Sequence, residues 1–305
     1  MQDGGGANFR SPQNLHPFVR DHASHPVWTR AERYLNHEDF ERGVLRYCGL
    51  VTAAAPVMWP SSKIFAQTSR YTTCFTLVAL DARYRAGEGP APNLKMLQAS
   101  VPSSPRQVSS LISGLRAGGY IRVETNARDL RSIHLRPSAS LVQAVARSPV
   151  AFLEAADSLE IESILPRLAN NFEIVADCMA LAEMSYSARD VFFRPFRDVV
   201  SFAERDCGYS LLCAILGRHL ADRRGEPWEL PLSYDALAKR FGVSRQHIGN
   251  LLTGAADQGL IDIRHGQISR IEATLVWQFM SWCAGQMALY RSAAERVLAK
   301  SQEIA

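Results

Sequence analysis

Arg245, Gln246 and Asn250 stand at positions i, i+1 and i+5 of the segment SRQHIGNLL. Each side chain can offer paired hydrogen-bonding groups: a guanidinium suits the two acceptors of guanine, and a carboxamide suits the acceptor and donor of adenine. If the segment is a helix, Ile248, Leu251, Leu252 and Ala255 form its buried stripe. That leaves Arg245, Gln246, Gly249, Asn250 and Thr253 on the outer face, with His247 beside them as a further candidate DNA contact. The chemistry such a face can do is to read base edges in a major groove.

Such a helix must be held by its neighbours, and the flanking residues supply the means. Ser244 is an N-cap, because its hydroxyl can accept from the first backbone N–H groups. Before it, Gly242 permits a sharp turn. Ser233 opens an earlier helix over 234–241, with Leu237, Ala238 and Phe241 on one face and Lys239 and Arg240 adding positive charge. After the stop at Gly259, the alternating segment LIDIRHGQISRIEA reads as a two-stranded ribbon. It turns at His265 and Gly266 and carries Arg264, His265 and Arg270 toward the same partner. Helix, turn, helix and ribbon together are the grammar of a winged helix-turn-helix.

The chain repeats this grammar. Residues 94–121 align without a gap on residues 234–261. In the first copy Ser104 and Pro105 open the second helix, proline at the first helical position losing no needed donor. Val108, Leu111, Ile112 and Leu115 face inward, and Arg106, Gln107, Ser109, Ser110 and Ser113 face outward. After Gly119, strands over 120–124 and 129–135 with a polar tip over 125–128 give a longer hairpin, which carries Arg128 and Arg131. Each copy is preceded by an apolar helix, over 71–85 and 209–221, and by a loop containing glycine and proline.

The segment GVSRQHIGNLL followed by QGLI resembles the DNA-binding module of the Crp/FNR family, over about residues 228–273. The resemblance implies that Arg245, Gln246 and Asn250 face the bases. Nothing N-terminal to it resembles a cyclic-nucleotide domain, so the family's usual effector is not carried over. The first hairpin, with Asp129 and Arg131 in an Asp-x-Arg pattern, is similar to the MarR family wing. This implies that Arg131 or Arg128 reaches a minor groove or phosphate and that Asp129 holds an arginine in place. Arg136-Pro137 replaces the threonine usual after the returning strand.

Charge is unevenly spread. The net charge is only +4. Residues 93–137, however, hold seven Lys/Arg against two Asp/Glu, residues 233–273 five against four, and residues 138–205 six against ten. Positive charge therefore gathers on the first head, and the connecting helices are acidic, as suits segments standing away from phosphate.

Enzyme motifs are missing. There is no GxxxxGK[ST] loop, no GxSxG, no HExxH and no evident carboxylate pairing, so the expectation is a protein that is not an enzyme. The six cysteines show no CxxC and no zinc spacing with histidine. They read as buried, reduced thiols, with redox sensing the alternative; no cofactor or metal is expected. The longest apolar run, over 47–59, contains Pro56 and is too short for a membrane span. No secretory leader is recognisable, so a cytoplasmic, nucleoid-associated location is expected.

The expected fold is mainly α with small β-hairpin wings: tandem winged helix-turn-helix domains joined by a helical body. Residues 1–26 read as a disordered tail. N-terminal helices occupy 27–69, the first head 70–137, connecting helices 138–207, the second head 208–274, and a C-terminal helix 275–305. Helices are expected over 140–147, 149–159, 161–184 and 188–204. The last helix carries Leu275, Phe279, Cys283, Met287, Tyr290, Ala294 and Val297 on one stripe. Such a helix after a wing is a common dimerisation element in the family the first head resembles. Two architectures remain open: an intramolecular pseudo-dimer of unlike heads, or a true homodimer with four heads. Body aromatics such as Phe152, Phe172, Phe192 and Trp28 read first as core. MarR-like regulators bind small aromatic acids between such helices and the heads, so a pocket of that kind is the alternative.

These features point to a sequence-specific, double-stranded DNA-binding transcription regulator, in which RNA polymerase contacts would help set activation or repression. A plasmid-type replication initiator and a winged-helix scaffold that binds protein are the rival classes.

Overall fold

Capping chemistry sets where several helices of this chain begin. In the computed structural model, which describes residues 19, 24–54, 67–126, 129–168, 171–187 and 189–304, Asn93, Ser104, Ser138, Ser233 and Ser244 each accept a backbone N–H of the helix they precede. The elements run α1 (Pro26–Leu35), α2 (Phe40–Thr52), α3 (Thr68–Arg85), α4 (Leu94–Ser100), α5 (Pro105–Ala117), β1 (Ile121–Asn126), β2 (Asp129–Pro137) and α6 (Ala139–Asp157). They continue as α7 (Leu165–Leu168), α8 (Phe172–Ser187), α9 (Arg189–Phe192), α10 (Arg197–Ala203), α11 (Gly208–Arg224), α12 (Tyr234–Phe241), α13 (Arg245–Asp257), β3 (Ile261–Arg264), β4 (Gln267–Ile271) and α14 (Ala273–Ile304). The described chain is thus mainly helical, with two small antiparallel hairpins, β1–β2 and β3–β4.

The last helix is the spine of the body. It packs against α1, α6, α8 and α10 of its own chain. Leu275, Phe279, Cys283, Met287, Tyr290, Ala294 and Val297, the stripe anticipated for a dimer seam, are all buried within the chain. That apolar face is therefore spent on intrachain packing. Aromatic rings fill the same core: Trp28 meets Phe192 and Phe196 at 5.4 and 5.9 Å between ring centroids, and Tyr47 stacks on Phe152 at 3.8 Å. Phe172, by contrast, is exposed. The buried hydroxyls are paired, with Tyr47 Oη 2.8 Å from Tyr209 Oη, which also accepts from Trp282 Nε1 at 3.0 Å. These contacts join α2, α11 and α14.

Three expected helix boundaries are corrected. Helix α6 runs unbroken through Pro149, where two helices were expected. Proline cannot donate to the carbonyl four residues back, which is that of Val145. Tyr71 Oη donates to that carbonyl at 3.1 Å, which replaces the missing bond. The single helix expected over 161–184 is instead α7 and α8. Asp157 draws in Ser163 Oγ and Ile164 N at 2.6 and 2.9 Å, and Asn171 Oδ1 accepts from Ile174 N at 3.1 Å. Side chains that bond locally to backbone in this way compete with helix continuation. The helix expected over 188–204 is split into α9 and α10 around Pro195. The expected N-terminal tail lies outside the described residues, apart from the buried Val19 and residues 24–26. Trp59 lies outside them too.

Buried charge is paired. Arg291, with 5% side-chain exposure, donates to Asp157 at 2.9 Å, to Glu295 at 2.7 Å and to the Glu162 carbonyl at 2.9 Å. The network locks α14 to the end of α6. No helix among the described residues is long and apolar enough to cross a membrane.

Candidate nucleic-acid interface

The internal repeat of the sequence is a repeat of hydrogen bonds. Glu88 N donates to Arg83 O at 2.8 Å, and 138 residues on Glu226 N donates to Ala221 O at 2.9 Å. Each pattern closes the first helix of its unit, α3 or α11. Tyr120 N donates to Leu115 O at 2.9 Å and Leu260 N to Ala255 O at 3.0 Å, at the ends of α5 and α13. Both ends turn through a glycine of positive φ, +74° at Gly119 and +70° at Gly259, a conformation that costs other residues steric strain. The hairpins leave by matching bonds, Ser138 N to Tyr120 O at 2.8 Å and Glu272 N to Leu260 O at 2.9 Å. The expected ribbon turn at His265 and Gly266 forms with both residues at positive φ, the geometry of a tight two-residue hairpin turn.

In the second unit α13 presents a polar outer face. Ser244 Oγ accepts from His247 N at 3.1 Å and fixes the start of the helix. Replacing Ser244 by alanine is expected to cost about 1 kcal/mol of unfolding free energy; chemical denaturation monitored by circular dichroism checks this. Arg245 is 69% exposed and lies 3.4 Å from Asp235 of α12, itself 74% exposed. Gln246 Nε2 donates to Asn250 Oδ1 at 2.8 Å, so the two carboxamides act as a linked pair. Thr253 is exposed beside them, whereas Ile248, Leu251, Leu252 and Ala255 are buried as expected.

Some predicted contacts in this unit have other employment. His247 is corrected: its Nε2 lies 2.9 Å from the Asp206 carbonyl, so the ring turns toward the body and leaves the outer face. Arg240 stays exposed, and its Nη1 donates to the Thr52 carbonyl at the end of α2 at 2.9 Å. Both bonds tie the unit to the body. Arg270 is held between Asp262 at 2.7 Å and Glu272 at 2.8 Å. The pairing lowers the carboxyl pKa of Asp262 below its ordinary value, through the hydrogen bond from Arg270. Lys239 and Arg264 remain exposed, and no ion pair engages them among the described residues.

The first unit is assembled differently. Ser104 and Gln107 form a reciprocal capping box: Ser104 Oγ accepts from Gln107 N at 3.3 Å, and Gln107 Oε1 accepts from Ser104 N at 3.1 Å. Gln107 is thus occupied in holding the turn. Ser109 is corrected as an outer-face residue, since its hydroxyl donates to Pro105 O at 2.9 Å and accepts from Gln98 Nε2 at 3.0 Å, tying α5 to α4. Pro105, Arg106, Ser110 and Ser113 stay exposed. Lys95, Arg106, Arg116 and Arg122 have no ion-pair partner among the described residues. In the longer hairpin Arg136 and Pro137 continue β2, pairing with Arg122 and Ile121. Arg128 lies outside the described residues, and only the backbone of Arg131, within β2, is described.

Two participants were not legible in the sequence. Asp235 partners Arg245 from the preceding helix, and no spacing rule singles it out. His134 of β2 is buried and meets Asp81 of α3 at 3.0 Å. Fifty-three residues separate them, and only the fold brings them together.

All six cysteines are buried and unbridged. Burial pushes the thiols of Cys178 and Cys207 up to about 12 and also raises those of Cys74, Cys213 and Cys283. A thiolate is the reactive form. The native protein is therefore expected to leave an aromatic disulfide reagent unreacted at pH 8, and all six thiols should react once it is unfolded. Fast labelling of any native thiol would contradict this burial. Among the described residues no group of His, Cys, Asp and Glu is arranged to hold a metal.

Comparison of the chain with protein-family models, with curated proteins and with solved structures finds no match.

Proposed function

We propose that the chain is a sequence-specific, double-stranded DNA-binding transcription regulator that carries two non-identical winged helix-turn-helix heads. The observation that carries this reading is the paired construction: two helix–helix–helix–hairpin units with matching capping and exit bonds, each presenting a polar, uncovered face on its third helix. On that reading α5 and α13 enter successive major grooves and the hairpins lie against the flanking backbone. The heads divide the work. Cations of the first that form no ion pair among the described residues, Arg106, Arg116 and Arg122 with Lys95, supply most of the attraction to phosphate. Arg245 with the Gln246–Asn250 pair of the second supplies base readout. Because the α14 stripe is spent within the chain, the reading favours one chain acting as its own pseudo-dimer in the bacterial cytoplasm.

Selection of bound fragments from a random duplex pool at about 150 mM salt tests it. The expected outcome is an enriched site with two unlike halves whose centres lie about 34–36 Å apart, one helical turn of DNA. A palindromic motif would indicate a homodimer in which equivalent heads dominate. Absence of any salt-dependent DNA affinity would overturn the proposal.

A further inference from the structure

His134 lies between two carboxylates. Its Nε2 is 3.0 Å from Asp81 Oδ1 on α3, and its Nδ1 is 3.5 Å from Glu124 Oε2, directly across the hairpin on β1. The imidazole is 11% exposed and Asp81 7%. Carboxylates only accept, and a neutral imidazole has one N–H to give, whereas an imidazolium has two. Only the protonated ring can therefore serve both neighbours. We infer that His134 is a positioning residue that fastens the first hairpin to the helical body through Asp81 and makes the cross-strand hold on β1, through Glu124, depend on one proton.

The surroundings make the latch a connection between elements. On α3, Asp81 Oδ2 also takes Arg85 Nε at 3.4 Å, and the Tyr84 ring meets the imidazole edge-on at 4.9 Å between centroids. From β2, Arg136 pairs with Glu124 at 3.3 Å. From α8, Asp177 takes Arg85 at 3.3 Å, and Glu173 lines the same small cleft as Asp81, Arg85 and Arg136. The adjacent Leu135 N donates to Pro92 O at 2.8 Å, a second tether of the same strand to the loop before α4. When the proton leaves, the shorter and more buried contact to Asp81 keeps the remaining N–H. A bare nitrogen lone pair is then turned toward the Glu124 carboxylate. Glu124 is 46% exposed and can swing into water, which releases β1 from the latch. The second unit has no such latch on its first helix: 138 residues beyond Asp81 stands His219.

The effect on DNA rests on the function proposed above, whereas the latch itself does not, so the test reads them separately. Hydrogen exchange of the β1 and β2 amides, corrected for intrinsic rates, is followed from about pH 5.5 to 8.5. Wild-type protection should fall across that range, and His134→Gln should remove the pH dependence. Should His134→Gln fail to fold, Glu124→Gln, altered at the exposed end, is expected to flatten the same profile. DNA affinity for the selected site, at constant ionic strength, should fall about fivefold or more in the wild type over the range and stay level in the variants. Equal pH profiles of hairpin protection in wild type and variants would overturn the latch. Proton-dependent protection without DNA binding at any pH would leave the latch standing and overturn the proposed function. DNA affinity that ignores a demonstrated loosening would overturn the positioning role.

Discussion

Arg291→Ala is expected to lower the unfolding free energy by about 3–5 kcal/mol, measured by urea denaturation. The cost comes from what is left behind. Arg291 is 5% exposed and its guanidinium satisfies Asp157, Glu295 and the Glu162 carbonyl. Without it, the carboxylate of Asp157, 9% exposed, keeps only Ser163 and Ile164 as donors, with no positive charge beside it. Glu295 would still have Arg30 at 2.8 Å, so the loss falls mainly on the α6–α14 junction. Replacing both Arg291 and Asp157 by apolar residues of similar volume should recover much of the loss, because no unpaired charge then stays buried. A single substitution costing under about 1 kcal/mol, the range of exposed pairs, would mean that the network is solvated.

Arg245→Ala should relax discrimination at about one base pair of the bound site by roughly 1–3 kcal/mol while affinity for unrelated DNA changes little. Competition binding against single-base variants of the selected site measures it. Arg131→Ala on the first hairpin is the contrasting case: affinity should fall evenly across sequences, and the salt dependence should drop by about one phosphate contact. Asp235 adds a refinement. If it steadies Arg245 at the groove, Asp235→Ala should lower discrimination at the same base pair, and the double variant should lose no more there than Arg245→Ala alone. If Arg245→Ala and Arg131→Ala both leave binding unchanged, the assignment of these two faces is wrong.

Local signals carried much of this. Ser104, Ser233 and Ser244 cap the expected helices, Gly119 and Gly259 end the expected second helices of each unit, and His265-Gly266 makes the expected turn. Each is decided by one residue's own backbone preference or by a side chain reaching at most three residues along, so sequence alone suffices. The buried stripes of α5 and α13 were legible for the same reason, since helical period depends only on spacing.

Other features depended on residues distant in sequence. Proline at 149 reads as a break, and only the Tyr71 hydroxyl, 78 positions earlier, lets α6 continue past it. Arg240 and His247 have the composition of a DNA-contacting surface, yet the carbonyls of Thr52 and Asp206 claim them. The amphipathic stripe of α14 could serve a partner chain or the chain's own core with equal pattern. Periodicity specifies that a face must be covered and is silent about by what. The sequence by itself thus determined the internal repeat and the capped and glycine-ended helices of its two units, each a matter of local backbone chemistry. The tertiary structure alone decided which polar groups stay outside and how His134 meets Asp81, because those outcomes depend on which distant acceptor is nearest after folding.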